Sequence, residues 1–133
     1  MQRRAAALTK ALRSGDDSEN VAATLHELND VHVIGTVFVF NTFLPLIHNG
    51  TAKKVIAITS GYSDMEPARE FGLDVAPFYS ASKAAQNVIV AKYHAQYKDD
   101  GILFLAVAPG VVDVGQYNQS KSTSSFRTGR GLT

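Results

Sequence analysis

Lys53-Lys54-Val55-Ile56-Ala57-Ile58-Thr59-Ser60 is the stretch that decides the fold. Two lysines and then a continuous apolar, β-branched run predict a strand buried on both faces, as in a parallel sheet. A similar run, Ile102-Leu103-Phe104-Leu105-Ala106-Val107-Ala108, predicts a second such strand ending at Pro109-Gly110. Between them Pro77 marks a boundary, and Phe78 to about Gln96 reads as a helix. That segment is apolar nearly all round, with Ala81, Ala84, Ala85, Val88, Ile89, Val90 and Ala91, and predicts burial between a sheet and another layer. Strand, helix and strand make one right-handed βαβ crossover. Ser60 closes the first strand, and ligands in open α/β sheets bind beyond the carboxyl ends of strands.

Upstream, Leu25, Leu28, Val31, Val33, Ile34, Val37, Phe38, Phe40, Phe43, Leu44 and Ile47 form a long apolar helical region. Its face is wide enough for two neighbours, with a break expected near Asn29-Asp30, a bend at Pro45 and a stop at Asn49-Gly50. Residues 61–77 show no periodicity and read as a long loop with at most one helical turn. Residues 1–17 are expected to be poorly ordered, 18–115 to form the α/β domain, and 116–133 to be a disordered polar tail. The expected fold is therefore a partial Rossmann-like unit: parallel strands with long packing helices, whose apolar faces call for partners outside this sequence.

Composition excludes several functions. The net charge of +1 gives no electrostatic footprint for nucleic acid. No cysteine is available for disulfides, thiolate metal sites or thiol nucleophiles. His26, His32, His48 and His94 lack the spacing of a metal-ligand set. The start shows two arginines but too short an apolar stretch for a signal peptide. Val31 to Ile47 reads as a buried helix rather than a membrane span. A cytoplasmic location is expected.

In the predicted helix, Tyr79 and Lys83 stand four residues apart and share a face. A phenol beside an ammonium group suits acid/base chemistry, because the cation favours the phenolate. Ser80-Ala81-Ser82-Lys83 also fits the Ser-x-x-Lys pattern of penicillin-recognising hydrolases, but no Ser-Asp-Asn or Lys-Thr-Gly follows it. With Val33-Ile34-Gly35-Thr36 in the preceding helix, Ile58-Thr59-Ser60 before Tyr79 and Val107-Ala108-Pro109-Gly110-Val111-Val112 after it, the region from Leu25 to Val114 resembles the C-terminal half of a short-chain dehydrogenase/reductase. That resemblance implies an NAD- or NADP-dependent oxidoreductase acting on a small-molecule alcohol or carbonyl. It implies Tyr79 as the general acid/base, Lys83 as its tuning cation and ribose ligand, and Ser60 as the group that orients the substrate oxygen. Pro109, Gly110 and Val112 would lie beside the nicotinamide, with Tyr79 and Lys83 contributing to the same surface.

The sequence departs from the family's pattern in specific places. No Gly-x-x-x-Gly-x-Gly turn and no Asn-Ala-Gly motif occurs. The interval from Ser60 to Tyr79 exceeds the family's usual one, so residues 61–77 must loop out. His32 stands where the family's catalytic Asn is expected, and Val114 where a Thr commonly follows Pro-Gly. The alternative expectation is a catalytically silent fragment or interaction module. Its two long helices would then pair with a second copy or with a full-length relative.

Overall fold

The computed structural model describes residues 18–110. The expectations for 1–17 and for the tail, and those for Val112 and Val114, lie outside the described residues. The element order is α1 (Ser18–Asn29), a π-helical turn (Asp30–Ile34), α2 (Gly35–Asn49), β1 (Lys54–Ile58), a 3-10 turn (Gly61–Ser63), α3 (Met65–Phe71), α4 (Pro77–Tyr97) and β2 (Leu103–Val107).

The two strands pair in parallel, with Lys54 opposite Leu103 and Ile58 opposite Val107. The expected strand-helix-strand unit is present, joined through α4. Pro77 occupies the first turn of α4, where its missing N–H costs nothing. At the far end Gly101, at φ +76°, closes the helix. Its N–H bonds to the oxygen of Lys98 while the Ile102 N–H reaches back to that of Tyr97. This is a Schellman closure, and it turns Ile102 into the core at 1% exposure.

The core lies on one face of the sheet, where Phe40 of α2 and Val90 of α4 meet Ala57, Ile102 and Phe104. Phe40 packs edge to face on Tyr93 at 5.0 Å and on Phe104 at 5.1 Å, and Tyr93 and Tyr97 lie tilted beside Phe104 at 5.5 and 6.1 Å. Among the described residues no element covers the opposite face of the sheet. Ile56, Ile58, Leu105 and Val107 are between 40% and 59% exposed. The expectation of strands buried on both faces is thus corrected: among the described residues the helices cover only the Ala57 and Phe104 side.

Two further corrections concern local structure. Residues 61–77 are not one loop, because the 3-10 turn and the seven-residue α3 occupy much of them. Gly72 ends α3 in the left-handed conformation, at φ +63°. The break expected near Asn29-Asp30 takes the form of a π turn, closed by the Gly35 N–H on the oxygen of Asp30. A Cβ at position 35 would sit 3.3 Å from that oxygen, a tight contact that the glycine avoids. The chain stays helical through the π turn and past Pro45 as far as Asn49.

The helix Glu19–Asn49 is long and apolar enough to cross a membrane by length and composition. One face of it is docked on α4 by side-chain hydrogen bonds. His32 meets Ser82, Thr36 meets Gln86, and Asn41 accepts from Tyr93. The expectation of a buried helix with two neighbours is corrected: among the described residues only the Thr36 and Phe40 side is buried, and Val31, Phe38, Phe43 and Leu46 are more than half exposed.

Candidate active site

A single stripe of α4 builds the site. Tyr79, Ser82, Lys83, Gln86, Val90, Tyr93 and Tyr97 recur at spacings of three and four, so they share a face. The lower half of this stripe, Val90 to Tyr97, is apolar and packs in or against the core. The upper half is polar and lies beside the carboxyl end of β1.

Lys83 is buried, at 8% exposure. Its Nζ donates to the main-chain oxygen of Ile58 at 3.0 Å and to Oε1 of Gln86 at 3.0 Å. Both acceptors are neutral. Burial therefore pulls the ammonium below the usual lysine range, since the charged form loses solvation without a compensating carboxylate. The Tyr79 ring lies beside it, with Nζ 5.9 Å from the ring centroid. Sequence reasoning placed these two residues on one face, and they do share it.

Ser60 follows β1 in extended conformation, and its Oγ accepts from the Tyr62 N–H at 3.3 Å. The 3-10 turn that carries it is tied to α4: Ser63 Oγ donates to the Ser60 oxygen, and Asn87 Nδ2 donates to Ser63 Oγ at 2.8 Å. One helix thus positions Tyr79, Lys83 and the Ser60 turn. Immediately before Ser60, the hydroxyl of Thr59 is buried without a hydrogen-bond partner among the described residues. Pro109 and Gly110 follow β2, parallel to Ser60 after β1, and both are exposed.

His32 enters from the π turn. Its ring meets Tyr79 edge-on at 5.4 Å between centroids, and its Nδ1 lies 2.9 Å from Ser82 Oγ. Burial first, and then the charge of Lys83, pushes the imidazole below the ordinary histidine range. Ser80, the nucleophile of the hydrolase alternative, instead donates its hydroxyl to the Ala76 oxygen at 3.0 Å. Among the described residues no group of three or more His, Cys, Asp or Glu could hold a metal ion.

Sequence reasoning missed Thr36, Ser63, Gln86 and Asn87 as supports of the site. Gln86 was within reach, since it follows Lys83 by three residues on the stripe that already held Tyr79. Thr36 and Ser63 carried no such signal, because their partners are 50 and 24 residues away.

The family model for short chain dehydrogenase matches residues 5–125. The chain belongs to the short-chain dehydrogenase/reductase family. The short chain dehydrogenase virK of Hypocrea virens is 42% identical over 115 residues, covering 86% of this chain and 42% of that protein. The short-chain dehydrogenase/reductase iacC of Pestalotiopsis fici is 42% identical over 104 residues, covering 78% of this chain and 38% of that protein. A third relative, AacuF of Aspergillus aculeatus, is 50% identical over 82 residues, covering 61% of this chain and 31% of that protein. The chain thus spans less than half the length of these relatives. No solved structure gives a significant match. The partial Rossmann-like α/β architecture described above accords with that membership.

Proposed function

We propose that the chain carries the proton-transfer side of an NAD- or NADP-dependent alcohol/carbonyl oxidoreductase. The observation that supports this most is the anchoring of Lys83 on Ile58, two residues before Ser60, with Tyr79 one turn away on the same helix. Tyr79 gives its phenolic proton to the carbonyl oxygen in reduction and takes the alcohol proton in oxidation. Ser60 donates a hydrogen bond to the same oxygen and so stabilises its developing negative charge. Lys83 supplies a fixed positive charge beside the Tyr79 ring, 5.9 Å from its centroid.

The residues present fit the nicotinamide-ribose end of a dinucleotide. An ammonium has three donors, and Lys83 commits two of them to Ile58 and Gln86, which leaves one for a ribose hydroxyl. Pro109 and Gly110, exposed beyond β2, would border the ring. A bound dinucleotide supplies the hydride acceptor or donor. The sequence contains no Gly-x-x-x-Gly-x-Gly turn for the phosphates. The substrate class is a small alcohol or carbonyl compound.

A second reading, an interaction module without turnover, is favoured by the bare apolar face of Ile56, Ile58, Leu105 and Val107. Its partner would be a second copy or a full-length relative. Titration of the purified chain with NADH and NADPH, read by nucleotide fluorescence, separates the two readings. Saturable binding by about millimolar cofactor supports the oxidoreductase. No binding, together with concentration-dependent association in sedimentation, supports the module.

A further inference from the structure

Lys83, Gln86 and Thr36 are all buried, at 8%, 7% and 9% exposure, and they form one directed chain of hydrogen bonds. Thr36 Oγ1 donates to the His32 main-chain oxygen at 2.6 Å. A carbonyl oxygen can only accept, so the single hydroxyl proton of Thr36 is committed there. Thr36 can then only accept from Gln86, whose Nε2 stands 2.9 Å away. This leaves Gln86 Oε1 facing Lys83 Nζ at 3.0 Å. Flipping the amide would set its NH2 against an ammonium and its oxygen against a hydroxyl with no proton to give.

We propose that Gln86 is a positioning residue for Lys83, held in one amide orientation by Thr36 and, through Thr36, by the π turn at His32. The inference rests on the reading that Lys83 serves the reaction at Tyr79. Gln86 and the Ile58 oxygen together fix the ammonium in place without neutralising it. A carboxylate at position 86 would hold Lys83 as well but cancel much of its field at the phenol. A neutral, orientation-locked acceptor keeps both the position and the charge. It also leaves one N–H of Lys83 for the site.

The test is a pH titration of Lys83 in the full chain carrying 13C at the lysine ε-carbons, with the signal assigned by its loss in Lys83→Arg. Gln86→Leu removes an acceptor, and the Lys83 midpoint should fall. Gln86→Glu keeps the side-chain length and should raise the midpoint by about one pH unit or more. Thr36→Val frees the amide to flip and should move the midpoint in the direction of Gln86→Leu. Opposite displacements by Leu and Glu, with Val following Leu, are the expected result. An unmoved midpoint in Gln86→Glu overturns the proposal, even where Gln86→Leu fails to fold. A wild-type midpoint in Thr36→Val overturns the orientation lock. The titration does not read turnover: displaced midpoints in a chain that reduces no carbonyl would sink the oxidoreductase reading and the service to Tyr79, and would leave the placement of Lys83 by Gln86 and Thr36 standing.

Discussion

His32 and Ser82 lie 50 residues apart in sequence and meet at 2.9 Å, Nδ1 to Oγ. The Ser82 hydroxyl donates to the Tyr79 main-chain oxygen at 2.8 Å. Its one proton is therefore used, and His32 Nδ1 must be the donor in the other bond. The imidazole is held with Nδ1 protonated and Nε2 carrying the lone pair. His32 stands where the family's Asn is expected, so an amide with two donors and an acceptor is replaced by a ring of fixed tautomer.

Ser82→Ala should release that tautomer. Imidazole 15N spectra of the wild-type chain should show His32 protonated at Nδ1, and the alanine variant should shift toward Nε2–H. Ser82 is 1% exposed, and losing its bonds should cost about 1 kcal/mol of stability. A wild-type His32 already protonated at Nε2 would contradict the assignment.

Stability should fall on the acid side because of His32. Its folded value is lowered from 6.5, by burial and then by Lys83. Between that lowered value and 6.5 the unfolded chain binds more protons, so stability rises with pH through this window and is complete above it. Denaturant midpoints from about pH 7.5 down to about pH 5 should therefore drop more in wild type than in His32→Asn. Equal slopes would remove His32 from the account.

Lys83 works in the same sense at high pH. Its folded value is lowered from 10.5 by burial, so the unfolded chain holds the extra proton just below 10.5. Stability should gain from Lys83 as pH rises through that window, and Lys83→Met should abolish the gain. Matched pH series of urea melts would read the difference.

Phe40→Ala should cost about 3–5 kcal/mol, because Phe40 is 5% exposed and packs on both Tyr93 and Phe104. Phe38, on the same helix but 67% exposed, should tolerate alanine within about 0.5 kcal/mol. Urea unfolding of the two variants would check the contrast, and equal losses would mean that the Phe38 side of α2 is covered in solution.

The strand-helix-strand unit was legible because pattern and punctuation agree: continuous apolar runs at 55–58 and 103–107, and Pro77 and Gly101 bounding α4. The pairing of Tyr79 with Lys83 followed from helical spacing alone. One-sided burial of the strands was not legible. An apolar run such as Val55 to Ile58 records the environment a strand is suited to, whereas its exposure depends on which layers are present. The α3 turns were hidden because Met65–Phe71 is too short for a periodic signal and holds Pro67. The supports of the site were hidden for another reason. Ser63 and Thr36 act across 24 and 50 residues of sequence, and such contacts follow from docking of the helices, not from local pattern.

The proton-transfer role of Tyr79 is tested most directly by reduction of a small carbonyl substrate with NADH or NADPH, comparing wild type with Tyr79→Phe. The ring, its contact with His32 and the helix are all retained in that variant, so thermal melting should be unchanged. Turnover should fall by about 100-fold or more, the usual contribution of a positioned acid/base. Phenylalanine at position 79 with wild-type turnover would contradict the account.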